Sequence, residues 1–151
     1  MSAVGLESID HTVQLTHVWI NELDERLGWS DKHRSYGLLR CVLQALRDWV
    51  PVNQAAHFGA QLPELLRGVY YEQWRPAATP VKERHKDAFM ARIDGAFSNG
   101  RFLVAAEAVT TVLEFLSTKM TAGAIEHMRH ELPADVQAMW PLFSRVVQKR
   151  A

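Results

Sequence analysis

Leu62-Pro63 returns in the second half of the chain as Leu132-Pro133, and the apolar positions flanking the two dipeptides keep the same spacing. The gapless shift that carries Leu62 onto Leu132 also sets Trp19 on Phe89, Leu23 on Ile93, Leu27 on Phe97 and Val42-Leu43 on Val112-Leu113. It sets Leu46 on Leu116, Val50 on Met120, and Leu66, Val69 and Tyr70 on Val136, Met139 and Trp140. Self-similarity at one fixed offset marks a supersecondary unit used twice. One such unit alone would leave an apolar face in water, so the two are expected to pack face to face. The expectation is a single domain over 1–151, with internal repeats at about 10–74 and 81–147 joined by a Pro-rich linker at 75–80.

Within each unit the apolar residues recur at spacings of three and four, the period of a helix packed on one face. Leu15, Val18, Trp19, Leu23 and Leu27 form a first stripe, closed by Gly28 as a C′ residue. Ser30 or Asp31 can cap a second helix carrying Tyr36, Leu39, Val42, Leu43, Leu46 and Val50, with Pro51 marking its end. A short helix follows from Val52 to about Ala60. Pro63, at a first helical position, starts a fourth that runs to about Trp74.

The second unit reads the same way, with Phe89, Ile93 and Phe97 stopped near Ser98-Asn99-Gly100, then Val109 to Met120. Thr121 caps a seventh helix and Leu132-Pro133 opens an eighth. Pro141 then interrupts the chain before a turn around Val146 and Val147. No alternating strand pattern occurs, so the fold class is all-α: two tandem four-helix repeats packed into one helical domain. Trp19, Leu23, Leu43, Leu46, Leu62, Val69, Phe89, Ile93, Leu113, Leu116, Leu132 and Met139 are the expected core.

The stretch LLRCVLQALRDWVPVNQAAHFGAQLPELLRGVYYEQW, Leu38 to Trp74, carries the segments GAQLP and RGVYYEQW. With them the chain resembles the bacterial and archaeal family known as domain of unknown function 2267, and HELPADVQAMWP resembles a weaker second copy. The likeness spans roughly Leu15 to Pro141. It implies an all-helical fold and brings no activity or catalytic residues with it.

Composition narrows the function classes. Hydrophobic residues at 48% and charged residues at 23% give an ordinary folded globule. Seventeen basic side chains balance seventeen acidic ones, so the basic excess usual for a nucleic-acid or anionic-membrane binder is missing. The single cysteine, Cys41, excludes an intramolecular disulfide and fits a reducing, cytoplasmic setting. The chain has no run of ~20 apolar residues and no signal-peptide start, so no membrane role is expected. Charge is unevenly placed: residues 1–31 net −5 and the remainder nets +5, with Lys82, Arg84, Lys86 and Arg92 clustered and Arg145, Lys149 and Arg150 near the end. Opposed patches can steer a partner, but mutual pairing or solvation within the fold explains them more simply.

Chemistry-bearing constellations are sparse. His127, His130 and Glu131 sit at helical spacing, but HMRHE matches no zinc-binding helix motif and supplies no fourth ligand. His127 repeats His57, which favours a role shared by both units, such as donating to a helix-end carbonyl. Cys41 lies mid-helix beside Val42 and Leu43, as a small core residue would. Asp24, Glu25 and Glu64 fall on polar faces, and no glycine-rich phosphate loop occurs. The expectation is a protein that is not an enzyme and needs neither cofactor nor metal.

Arg67, Tyr70, Tyr71, Glu72, Trp74 and Arg75 are concentrated in the first repeat and weakly matched in the second. Aromatic rings beside guanidinium groups are the composition of binding hot spots. These six residues are therefore the candidate surface for a protein partner or a homo-oligomer, set against a plainer role as a wedge between the halves. A small apolar ligand held between the repeats is the alternative function. A nucleic-acid- or ribosome-associated role is weaker, given the zero net charge.

Overall fold

The computed structural model describes residues 6–97 and 104–141. The expected stop at Ser98-Asn99-Gly100, the turn around Val146 and Val147, and the basic residues Arg145, Lys149 and Arg150 lie outside the described residues.

Eight α-helices run through the described residues. In chain order they are α1 (Glu7–Leu27), α2 (Lys32–Asp48), α3 (Val52–Gly59), α4 (Glu64–Tyr71), α5 (Lys86–Ala96), α6 (Ala106–Lys119), α7 (Ala122–His130) and α8 (Ala134–Gln137). A 3-10 turn at Pro76–Ala78 connects α4 towards α5. Local chemistry sets most of the ends. Gly28 closes α1 at φ 69°, a left-handed conformation that costs a residue without Cβ little, and its N–H reaches the carbonyls of Asp24 and Glu25. Asp31 caps α2 by accepting the Arg34 N–H, and Thr121 caps α7 by accepting that of Ala124.

Pro51, Pro63 and Pro133 each stand one residue before a helix, in extended backbone, rather than inside its first turn. The expected first-helical place of Pro63 is corrected by one residue. Its carbonyl accepts from Arg67 N at 2.8 Å and that of Pro133 from Gln137 N at 2.8 Å, so both prolines cap from outside. Pro51 and Thr121 hold corresponding places before α3 and α7, as the repeat offset requires.

The helices of the two halves interleave. α1 packs on α6, α2 on α5 and α6, and α3 on α7, while α4 lies against α1 and α2. Edge-to-face ring pairs join the halves at Trp19–Phe115 and Phe89–Trp49, with centroids 5.7 and 5.3 Å apart. Polar contacts cross the same seam. The amide of Gln61 exchanges hydrogen bonds with Thr121, and Arg84 donates to the carbonyls of both Trp49 and Glu131.

Eleven of the twelve expected core residues are buried. Val69 is half-buried instead, because α4 turns Leu66 and Tyr70 inward and leaves Val69 at the edge of that face. Val18 is 45% exposed. The inner stripe of α1 passes through Thr16, Trp19 and Leu23, and the Thr16 hydroxyl is satisfied by the Thr12 carbonyl at 2.7 Å.

Candidate functional site

The corner where α3 turns into α4 gathers the six candidate residues. Arg67 points back at the end of α3: its Nε donates to Gly59 O at 3.1 Å and its Nη2 to Ala60 O and Leu62 O at 3.2 and 2.8 Å. These carbonyls lie beyond the regular bonding of α3, and a forked guanidinium suits several at once. Tyr70 is fully buried, and its hydroxyl donates to Ala55 O at 2.8 Å. Burial holds that phenol above its ordinary range. Tyr70 therefore serves the corner itself, and its expected place on a docking surface is corrected, because it has no exposed ring to offer. Arg67 is half-buried and commits its Nε and Nη2 to the corner.

The other four residues remain at the surface. Tyr71 and Trp74 are half-buried, while Glu72 and Arg75 are exposed. The two rings stack at 5.3 Å with planes 29° apart. The Tyr71 hydroxyl reaches Ala56 O at 3.4 Å, and Trp74 Nε1 is shielded with no acceptor among the described residues. The indole is therefore held by stacking and by the main chain of Trp74, whose backbone N–H donates to Tyr71 O at 3.0 Å. Tyr71 lies over α3 of its own half, with its hydroxyl on Ala56 O and its ring beside Gly59.

The expected continuation of α4 to Trp74 fails at Tyr71, and the cause lies in α2. Buried Arg47 donates from Nη1 to the carbonyls of Tyr70 and Glu72 at 2.8 and 2.6 Å, and Gln44 donates to Val69 O at 2.9 Å. Side chains of α2 thus take the carbonyls at the end of α4, and Gln73 follows at φ 60°. Arg47 Nε also meets Asp48 at 2.9 Å, and Asp48 meets Arg92 at 3.4 Å, so the buried charge is paired. Sequence reasoning missed Gln44 and Arg47. Their signal was two polar residues three apart inside an otherwise apolar run.

Gly59 is sterically required at this corner. A Cβ there would overlap the Tyr71 hydroxyl oxygen and stand 2.9 Å from a ring carbon of Tyr70.

Elsewhere the candidate chemistry is dispersed. His57 and His127 are both exposed, and neither makes a side-chain hydrogen bond among the described residues, which corrects their expected helix-end role. No three His, Cys, Asp or Glu side chains come together among the described residues in a way that suits a metal ion. Cys41 is buried, and desolvation raises its thiol pKa, with Arg40 and Arg92 opposing. Asp24 is buried rather than solvated, a second correction. Its Oδ1 accepts the Ser35 hydroxyl at 2.7 Å and the Asp31 N–H at 2.9 Å, and these bonds lower its pKa. The expected basic cluster is partly spent inside the fold, with Arg84 on backbone carbonyls and Arg92 on Asp48. Glu22 of the acidic segment pairs with Lys119 across the halves.

No helix among the described residues is long and apolar enough to cross a membrane. No curated protein matches the sequence. Helices α2 to α8, the later part of α1, the GAQLP turn after α3 and the RGVYYEQW corner fall within residues 16–139, which match the family of uncharacterised conserved proteins designated DUF2267; the chain belongs to that family.

Proposed function

We propose that the chain is a non-catalytic docking module that engages a protein partner, or a second copy of itself, through Tyr71, Glu72, Trp74 and Arg75. The Tyr71–Trp74 stack carries this reading. Two half-exposed rings stand on a turn whose carbonyls are fixed by Arg47, with exposed Glu72 and Arg75 on either side. Rings already held in place lose little rotamer freedom on binding, and an exposed arginine adds forked hydrogen bonds at the rim.

The absence of catalysis is part of the proposal. It is supported by a buried thiol with a raised pKa and by His57 and His127 lying exposed. A reducing, cytoplasmic setting belongs to the same reading, through the single Cys41.

The test compares the parent with a Trp74→Ala/Arg75→Ala double variant. Sedimentation across a concentration series reads self-association, and parallel capture with the two proteins reads a partner. The reading holds if the variant keeps its circular dichroism and loses an assembly that the parent makes. It fails if both proteins behave alike, or if the substitutions unfold the chain.

A further inference from the structure

A cleft of about 520 Å³ opens between α2 of the first half and the end of α5 from the second. Its size is that of a small-molecule site, typically ~300–1,000 Å³. Its floor is apolar, with Gly37 and Cys41 on one wall and Ala96 and Phe97 on the other. Its rim is cationic, carrying Arg34 and Arg40 with His33 beside them. Among the described residues that line the cleft, the carboxylate is that of Asp31, which already accepts the Arg34 N–H as the cap of α2.

The parts of this cleft are held in place before any ligand arrives. The Arg34 guanidinium lies 4.1 Å over the Trp29 ring, and Trp29 packs on Phe97 at 6.2 Å. Phe97 is itself buried, so it offers a fixed apolar wall. Among the described residues Arg40 has one loose partner, Glu72 at 3.4 Å, with side chains 45% and 56% exposed. Such an exposed pair is worth little, and a better-placed carboxylate would displace it.

Gly37 keeps the floor open. A Cβ at that position would meet Phe97 Cε1 at 3.6 Å, an ordinary contact, and a longer side chain would extend across the floor. A glycine inside a helix weakens it, and here the missing side chain is what leaves the space.

We infer that this cleft binds a small aromatic carboxylate, with its ring on the Gly37–Phe97 floor and its carboxylate between Arg34 and Arg40. The planar fork of arginine matches a carboxylate, and the apolar walls suit an aromatic ring. The cleft touches the Tyr71–Trp74 corner through the Arg40–Glu72 pair, but its ligand does not depend on the docking proposal.

Calorimetric titration of the purified chain with naphthoate, and with neutral naphthylmethanol as control, tests it. Naphthoate is expected to saturate at one per chain, with the alcohol about tenfold weaker because it cannot form the charged hydrogen bonds. Gly37→Leu, checked for an unchanged fold by its melting curve, should weaken naphthoate by at least about tenfold by filling the floor. Arg34→Gln with Arg40→Gln should bring the acid down to the level of the alcohol.

Absence of saturable binding, equal binding of acid and alcohol by the parent, or unchanged binding by a folded Gly37→Leu protein would each overturn the proposal. If Gly37→Leu does not fold, the folded Arg34→Gln/Arg40→Gln protein decides: naphthoate binding unchanged from the parent would overturn the site.

Discussion

The α3–α4 and α7–α8 corners solve one problem with different side chains. At the first, Arg67 bridges the end of α3 to Leu62 O at 2.8 Å and Ala60 O at 3.2 Å; at the second, Gln137 donates to Leu132 O at 2.7 Å and His130 O at 3.3 Å. The offset that sets Leu62 on Leu132 also sets Arg67 on Gln137, so the position, not the guanidinium, is what the turn requires. The ends of α4 and α8 then diverge. Tyr70 O is held by Arg47 of α2, whereas Trp140 O is held at 2.6 Å by Arg129 of α7. Tyr70 bonds Ala55 O, while Trp140 donates its indole N–H to Ser117 at 2.9 Å. Ser117 occupies the place of Arg47, and Arg129 that of Gly59. The capping cation has moved from one neighbouring helix to another. Gly59 leaves room for the Tyr71 ring, which has no counterpart in the second corner.

The largest expected effect tests that exchange. Arg47→Met removes a buried cation and orphans the carbonyls of Tyr70 and Glu72. Hydrogen bonds to charged groups are each worth ~1.5–3 kcal/mol, and Met returns only part of that by packing, so a loss of about 3 kcal/mol is expected. Arg129→Met, at a half-buried site with one carbonyl at stake, should lose about 1 kcal/mol. Urea unfolding of both variants measures the difference. Equal losses would mean that the two cations are equivalent and that the contrast between the corners is only one of position.

Next comes Gly59→Ala. Better helix propensity favours alanine by ~1 kcal/mol, but the new Cβ meets Tyr71 and the immovable Tyr70. Overpacking of this kind typically costs ~1–3 kcal/mol, so the clash is expected to win and the melting temperature to fall. A rise would show that the Tyr71 ring swings aside at no cost, which would also weaken the case for a rigid Tyr71–Trp74 stack.

Much of this architecture was legible because it is written in local code. Gly28, Asp31, Thr121 and the Leu-Pro pairs announce helix ends through side chains that act within four residues, and the apolar stripes announce the faces. Gln44 and Arg47 were not legible, since their partners are backbone carbonyls of another helix, and carbonyls carry no sequence signature. The same blindness misplaced Asp24, which looks solvated by composition and is buried by its bonds to Ser35 and Asp31. It also turned Tyr70 outward, because a surplus of rings and arginines looks like a binding surface until the carbonyls they serve come into view.

Arg67→Gln gives the first corner the second corner's residue. Gln137 shows that an amide at this place reaches both the Leu132 and the His130 carbonyl. The substitution should therefore cost no more than about 1 kcal/mol, against about twice that for Arg67→Ala, which leaves the carbonyls bare. Differential scanning calorimetry on the two variants separates them. If glutamine proves as damaging as alanine, the corners differ in backbone geometry and not only in side chains.

The smallest expected effect compares the first interhelical turn of each half. Asp24 accepts two donors, Ser35 and Asp31 N–H, whereas Asp94, which the same sequence offset sets on Asp24, accepts Val104 N–H at 2.7 Å. Both bonds favour the ionised form of Asp24, so its pKa in the folded protein lies below the ordinary value of ~3.9. A depressed carboxylate pKa stabilises the fold fully above the unfolded-state value, and that contribution is lost as pH falls through the folded value. Unfolding midpoints measured from pH 7 down to about 2 should therefore fall on the acid side in the parent. Asp24→Asn removes the titrating group but keeps an acceptor oxygen for Ser35 or Asp31. Its midpoint should start slightly lower at neutral pH and converge on the parent's as the acid limit is approached. A gap that stays constant across the series would mean that the Asp24 carboxylate works only as a hydrogen-bond acceptor, and that its charge contributes nothing to the turn.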